Sequence, residues 1–347
     1  MRNTSFLYFL MTALTFLLCV CAGNACAGDI QVAGTAAHQQ EIRELLDQAR
    51  QASSGESLAR SITLLEKAYA LDAFDPETVF MLGLAYCGNG EYERGIALLE
   101  DVHEMTGEPL TLEPLKNAYF MLGMRYTAEQ KMIEAEDLFS RVIAIDSAHA
   151  KAYCNRGICR VINGKYAEAL DDFSQARAGG FRSIEMELNR ASALEKSGNA
   201  DRAIDIYKEL LAVEPGCAPA HYNAAVLLEK KAANQPDMAR FINESINHYK
   251  RSVELDPSMY EAAFNLSRIY YARQNLSLAI VWIRKALEIN DSLDQAHLLL
   301  AQLYFEKGAY NNALAQVELM EEKGYHFSEM DDIRSNIYSI TGKETRK

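Results

Sequence analysis

One pattern recurs at a spacing of 34 residues along almost the whole chain, and it limits the possible folds more than any other feature. "FMLGLAY" (80–86), "FMLGMRY" (120–126) and "FNLSRIY" (264–270) align on a small residue. That small position returns at Ala49, Gly83, Gly123, Gly157, Ala191, Ala225, Ser267, Ala301 and Ser335, with steps of 34, 40, 34, 34, 34, 42, 34 and 34. Three residues past the anchor a bulky side chain is usual (Tyr86, Tyr126, Leu194, Leu228, Tyr270, Tyr304, Tyr338), with Arg160 the exception. Twelve past it a small residue tends to recur, and sixteen past it a bulky apolar one such as Leu99, Phe139, Phe173, Tyr207, Ile283 or Val317. In the sixth copy an eight-residue insertion moves these two to Ser245 and Tyr249. A unit this short leaves apolar faces that only its neighbours can cover, so the copies must stack.

Apolar residues fall at helical spacing within each copy, and breakers such as "CGNGEY" (87–92), "INGKYA" (162–167), "KSGNAD" (196–201) and "EKGAYN" (306–311) split it into two helices. Gly or Asn ends the first helix where a positive φ is needed. The anchor lets the paired helices approach closely, and the later small residue makes room for a neighbouring aromatic. The chain resembles the tetratricopeptide repeat family, whose signature is W-x2-L-G-x2-Y followed by A-x3-F and then Pro. "AEALDDFSQA", "LAIVWIRKALEIN" and "SINHYKRSVELDP" carry the second-helix half, with Pro215 and Pro257 as terminators. The Trp of the signature is missing, and the first copy is weak. The resemblance implies an all-α fold, an α-solenoid of antiparallel helix pairs wound into a right-handed superhelix with a concave inner wall.

The expected organisation is a signal peptide over 1–27, an N-terminal segment over 28–41, about eight repeat units over 42–327 and a capping helix with tail over 328–347. Insertions fall near 104–115, where Pro109 and Pro114 should break helix, and near 230–244, inside unit six. Surface elaboration is the simpler reading of both, although either could form part of a partner site.

The first 27 residues differ in composition from the rest. Arg2, the apolar run Phe6 to Val20 and Ala25-Cys26-Ala27 form the n-region, h-region and cleavage site of a secretory signal. Leu18-Cys19-Val20-Cys21 is a poor lipoprotein box, so lipid anchoring is disfavoured, and the run is too short to span a bilayer. Export to a bacterial periplasm or outer cell surface is expected, with no membrane span in the mature chain. A formal charge of −13 argues against nucleic acid or anionic lipid as partner.

No catalytic constellation, metal motif or cofactor loop emerges. The seven His are scattered, and His221 and His297 occupy the slot of the repeat Trp, as packing residues. Paired acids such as Asp171-Asp172, Glu321-Glu322 and Asp331-Asp332 read as solvated helix faces. Of the thiols, Cys87, Cys154, Cys159 and Cys217 follow the expected cleavage site. Cys154 and Cys159 share one helix about 140° and about 7.5 Å apart, which a disulfide cannot bridge.

The expected function is therefore a non-enzymatic scaffold of the cell envelope that binds a peptide or protein segment in the concave groove. In tetratricopeptide-repeat proteins that bind extended peptides, an Asn two places before the anchor often clasps the ligand backbone. That slot holds Asn155, Asn189, Asn223 and Asn265, and Tyr222, Phe264, Arg268 and Tyr271 flank it. In units two and three the inner slots carry Phe80, Met81, Leu84, Phe120, Met121 and Met124, an apolar section of groove. No basic clamp for acidic chaperone C-termini can form, because Phe80, Phe120, Cys154, Leu188, Tyr222, Phe264 and Leu298 adjoin the slot. Two other readings are an outer-membrane pilus or secretion assembly factor of pilotin type, and a thiol-dependent redox or metal protein.

Overall fold

The structure, a computed structural model, describes residues 32–55, 57–233 and 238–341. The expected signal peptide over 1–27 and the tail after 341 lie outside the described residues. The described residues contain no strand, and no helix among them is long and apolar enough to cross a membrane. They form two compact units, divided between Arg182 and Ser183.

The first unit holds α1 (Val32–Gly55), α2 (Leu58–Leu71), α3 (Pro76–Gly88), α4 (Tyr92–Thr106), α5 (Leu112–Ala128), α6 (Met132–Ile145), α7 (Ala150–Ile162) and α8 (Tyr166–Ala178). The second holds α9 (Ile184–Lys196), α10 (Ala200–Val213), α11 (Ala218–Ala232), α12 (Met238–Leu255), α13 (Tyr260–Ala272), α14 (Leu276–Ile289), α15 (Asp294–Glu306), α16 (Tyr310–Glu322) and α17 (Ser328–Thr341). Within each unit a helix packs more extensively on its pair partner than on the next pair, and α17 closes the second unit against α15 and α16. Each unit is thus a solenoid of successive helix pairs.

The pairing is built on two small residues that face each other. The Ser61 hydroxyl donates to the Ala49 carbonyl at 3.0 Å, Ser245 to Ala225 at 3.0 Å, and Ser267 to Ala279 at 2.9 Å. Each such bond is worth about 1 kcal/mol, and forms only because no larger side chain separates the backbones. The bulky residue sixteen past the anchor then covers it. A Cβ added at Gly157 would lie 2.7 Å from a Phe173 ring carbon, and one at Gly123 would lie 2.9 Å from Phe139.

Turn chemistry explains where the helices stop. Asp72, Asp146, Asp256 and Asn290 close the turns between pairs by accepting the N–H two residues on, from Phe74, Ala148, Ser258 and Ser292. Inside the pairs, the residue seven past the anchor has positive φ: Gly90, Gly164, Gly198 and Gly308, but Gln130 and Gln274 in the same register. Pro109 opens a single 3-10 turn, Pro109–Thr111. Pro114, expected to break helix, instead lies in the first turn of α5, where its missing N–H has no intrahelical partner to lose.

Arg160, the exception in its aromatic slot, joins a buried polar network across α6, α7 and α8. Arg156 holds Asp172 through both carboxylate oxygens, at 3.0 and 2.7 Å, and Arg160 reaches Asp172 at 2.8 Å and Glu136 at 3.1 Å. Lys165 and Asn163 also donate to Glu136. Asp172 is only 2% exposed, so the reading of Asp171-Asp172 as a solvated face fails for its second member. Two guanidinium groups supply the hydrogen bonds that a buried carboxylate requires. Burial alone would raise the Glu136 pKa, but the bonds from Lys165, Arg160 and Asn163 outweigh it and hold the carboxyl below its usual 4.5.

Because its folded pKa is depressed, Glu136 stabilises the fold above the unfolded value and that contribution is lost as pH falls through the folded value. Glu136→Gln should cost about 2–3 kcal/mol near neutral pH by urea denaturation. The mutant and wild-type curves should converge as the pH is lowered past Glu136's titration. Gln274→Gly should add about 0.5–1 kcal/mol, since the relief of left-handed strain exceeds the extra chain entropy; thermal melts of the two proteins check this.

Candidate functional site

Which residues are available on the first helices of the pairs depends on what packs against them. Phe80, Met81 and Leu84 are core, at 0%, 6% and 6% exposure. Met81 packs with Ile42 and Leu46 of α1, whereas Phe80 and Leu84 pack with Leu115 and Leu122 of α5. The apolar groove expected at these three residues is therefore corrected: neighbouring helices cover them. On α5, Phe120 is half-buried against Phe139, but Met121 and Met124 stay open at 47% and 44% exposure.

The four expected Asn rungs divide between the units, with Asn155 on α7 of the first and Asn189, Asn223 and Asn265 on α9, α11 and α13 of the second. Each amide already has a partner inside the protein. Asn155 Nδ2 lies 2.9 Å from Met124 Sδ, Asn189 donates to its own helix at the Glu185 carbonyl, and Asn223 bonds the Tyr207 hydroxyl. An amide carries two N–H donors and a two-lone-pair oxygen, so one internal bond leaves capacity for a ligand.

Asn265 is more fully engaged. It donates to the Tyr249 hydroxyl at 3.2 Å, and accepts from Arg268 Nη1 at 3.3 Å. Tyr249 donates to Glu229 at 3.1 Å, and Glu229 lies 3.8 Å from Arg268 Nη2, which closes a ring of contacts through α11, α12 and α13. Burial, followed by the Glu229 charge, raises the Tyr249 pKa and keeps the phenol a donor. Tyr222 packs on the Tyr249 ring with centroids 5.8 Å apart, which makes it a support for this ring of contacts.

Beside that ring lies a cavity of about 960 Å³, wholly within the second unit. Its apolar lining comes from Ile242, Phe264, Ile269, Leu298, Leu299 and Phe327, and its charged lining from Glu229, Arg268, Arg273 and Glu329. Phe264, Arg268 and Tyr271, all singled out from the repeat register, line it together, whereas Asn265 does not. One side belongs to the insertion inside unit six, which extends α12 back to Met238 and brings Met238, Ala239 and Ile242 to the cavity. Sequence reasoning missed these residues, although their 3.6-residue spacing ahead of Ile246 was visible. Among the described residues Arg273 makes no ion pair, whereas Arg268 is held by Asn265 and Glu229. The Tyr271 hydroxyl donates to Glu306, and that bond pushes its pKa up to about 12.

The thiols are poorly suited to chemistry. No disulfide joins Cys87, Cys154, Cys159 and Cys217, and burial pushes Cys87 up to about 12 and raises Cys159. Among the described residues no group of three or more His, Cys, Asp or Glu is placed to hold a metal ion.

The profile of the tetratricopeptide repeat matches residues 188–235 and 239–294, the stretch that carries most of α9 and α10 to α14. That stretch is made of tetratricopeptide repeats. Photosystem I assembly protein Ycf3 of Acaryochloris marina (strain MBIC 11017) is 27% identical over 140 residues, covering 37% of this chain and 84% of that protein. Among solved structures, pilF of Pseudomonas aeruginosa superposes with a TM-score of 0.52 at 13% identity, over 65% of this chain and 99% of its own. PilW, a widely conserved type IV pilus biogenesis factor, superposes with a TM-score of 0.50 at 17% identity, over 63% and 98% of the two chains. At these identities the likeness between structures is one of fold. Tetratricopeptide-repeat proteins are in general scaffolds for protein–protein interaction, so the fold implies protein partners.

The exposure of Met121 and Met124 on α5 has a direct readout. Brief treatment with dilute hydrogen peroxide should convert Met121 and Met124 to sulfoxides well before buried Met81 and Met186, as peptide mass spectrometry will register.

Proposed function

We propose that the second unit holds a segment of a partner protein in the cavity between α11, α12, α13, α15 and α17. The protein then acts as a non-enzymatic scaffold of the cell envelope. The observation that carries this is the pairing of a roomy apolar lining with an unpaired Arg273 at its edge. Pockets that hold ligands combine mostly apolar walls with a few placed polar groups, and this one has that composition. Bulky side chains of the partner would sit against Phe264, Ile242, Leu298 and Phe327, and an acidic group would pair with Arg273. The remaining amide capacity of Asn189 and Asn223 would serve an extended backbone running along the first helices.

The secretory pattern in residues 1–27 supports the envelope location. A narrower version makes the protein an outer-membrane pilus or secretion assembly factor. Metabolic labelling with a fatty acid that leaves the mature chain unlabelled removes the lipoprotein form of that version.

The cavity itself is tested by site-specific photo-crosslinking. Gln295→p-benzoylphenylalanine, at the lining, should cross-link a discrete partner in the native envelope, and combining it with Phe264→Ala and Arg273→Glu should reduce that product by about tenfold or more. The same label at Ile133, which is exposed on α6, should give none of that product. Equal labelling from both positions, or a product indifferent to the double substitution, defeats the proposal.

A further inference from the structure

The α11–α12 pair contains a contact whose chemistry differs from its counterpart in the α15–α16 pair. His221 and His297 each lie four residues before the anchors Ala225 and Ala301. In both, ring Nε2 meets the carbonyl six residues earlier, Pro215 at 3.2 Å and Asp291 at 3.0 Å. A carbonyl only accepts, so each Nε2 carries the proton and each neutral ring presents Nδ1 as an acceptor. The partner of that acceptor is the residue just before the bulky position of the second helix. In the α15–α16 pair it is Gln316, whose Nε2 donates to His297 Nδ1 at 2.6 Å. In the α11–α12 pair it is His248, whose Nδ1 lies 2.8 Å from His221 Nδ1.

The two tautomers are therefore fixed by geometry. His221 is protonated at Nε2, and His248 at Nδ1. Gln316 is a permanent donor, whereas His248 belongs to a pair that titrates. A proton added at His248 Nε2 leaves the bridging bond intact. Only when a second proton is added, so that both rings carry N–H at Nδ1 as well as Nε2, do two N–H groups face each other across 2.8 Å, which no hydrogen bond permits.

We propose that the His221–His248 contact is an acid-sensitive latch between α11 and α12, closed while the rings share one bridging proton and opened when acid leaves both rings charged. The latch sits at one end of the pair. The other end carries Glu229 of α11 and Met238, Ala239 and Ile242 of α12, which line the cavity, so opening shifts one wall against the other. This holds whatever occupies the cavity.

The surroundings favour the closed form near neutrality. Burial is the main cause that lowers the pKa of both rings. For His221 the Pro215 carbonyl opposes this and Arg251 of α12 adds to it. For His248 the His221 ring and Lys208 of α10 add to it and Glu244 of α12 opposes it, with Glu244 itself 3.6 Å from Lys208. Folded values depressed below the ordinary 6.5 mean that the latch contributes stability above the unfolded value and loses it as pH falls through the folded values.

The wild-type protein gives the first test. Long-range nitrogen NMR near neutral pH should show His221 protonated at Nε2 and His248 at Nδ1; the reverse assignment, or a mixture, overturns the latch. Hydrogen exchange then compares two pairs in one molecule. Between about pH 7.5 and about pH 4.5, after correction for intrinsic exchange, amides of α11 and α12 should lose roughly tenfold more protection than those of α15 and α16. His248→Gln installs the donor found at Gln316 and should abolish that excess. Equal losses in the two pairs of the wild type, or an excess that survives in His248→Gln, overturn the proposal. Should His248→Gln fold poorly, the two wild-type measurements still decide.

Discussion

The close approach of two backbones at a small residue is the condition on which the rest of the structure rests. Where Gly, Ala or Ser stands at the anchor, the second helix of a pair comes near enough for its own small residue to meet the anchor's backbone. A ring or branched side chain four residues further on then seals the contact. Gly123 under Phe139 and Gly157 under Phe173 show how little space is left, since even one methyl group would meet the ring. Ala225 and Tyr249 are both fully buried by the same arrangement. The contact fixes the height and rotation of each pair, and thereby the positions at which every other residue of the unit must point.

Within that frame, individual slots are free to change chemistry. Position three past the anchor is aromatic or aliphatic in most copies and Arg160 in one, where it is tolerated because Asp172 and Glu136 supply compensating charge from the helices on either side. The slot before the bulky position holds Gln316 in one pair and His248 in another. The left-handed residue of the inner turn is Gly in four copies and Gln in two. Each variant preserves the backbone path and alters only the local energy or its dependence on pH. Buried polar contacts of this kind add little net stability, but they penalise any pairing in which their partners are missing.

The period of 34 residues made the helix pairs, their turns and the anchor readable from the sequence, because the same physical demand repeats and each copy corroborates the others. The candidate site was less legible. Phe264, Arg268 and Tyr271 were found through the register, since a repeat fixes which side of the first helix they occupy. Phe80, Met81 and Leu84 were misplaced by the same register, because it shows which face a residue takes but not which neighbour covers that face. Asp172 was misread for a related reason: Arg156 and Arg160 are 16 and 12 residues away and meet it only once α7 and α8 are packed. The wall built by Met238 and Ile242 lay in an insertion, where the register is silent.

That insertion falls between the two helices of a pair, and the interrupted pattern resumes at Ser245 and Tyr249 as though nothing had been added. Ser245 still reaches the Ala225 carbonyl, and Tyr249 is still fully buried. Extra length at such a joint therefore leaves the anchor contact of its own pair unchanged. In a stacked protein of this type the joint inside a pair can acquire new surface while the anchor contact is kept, and in this chain that joint borders the cavity lined by Phe264 and Arg268.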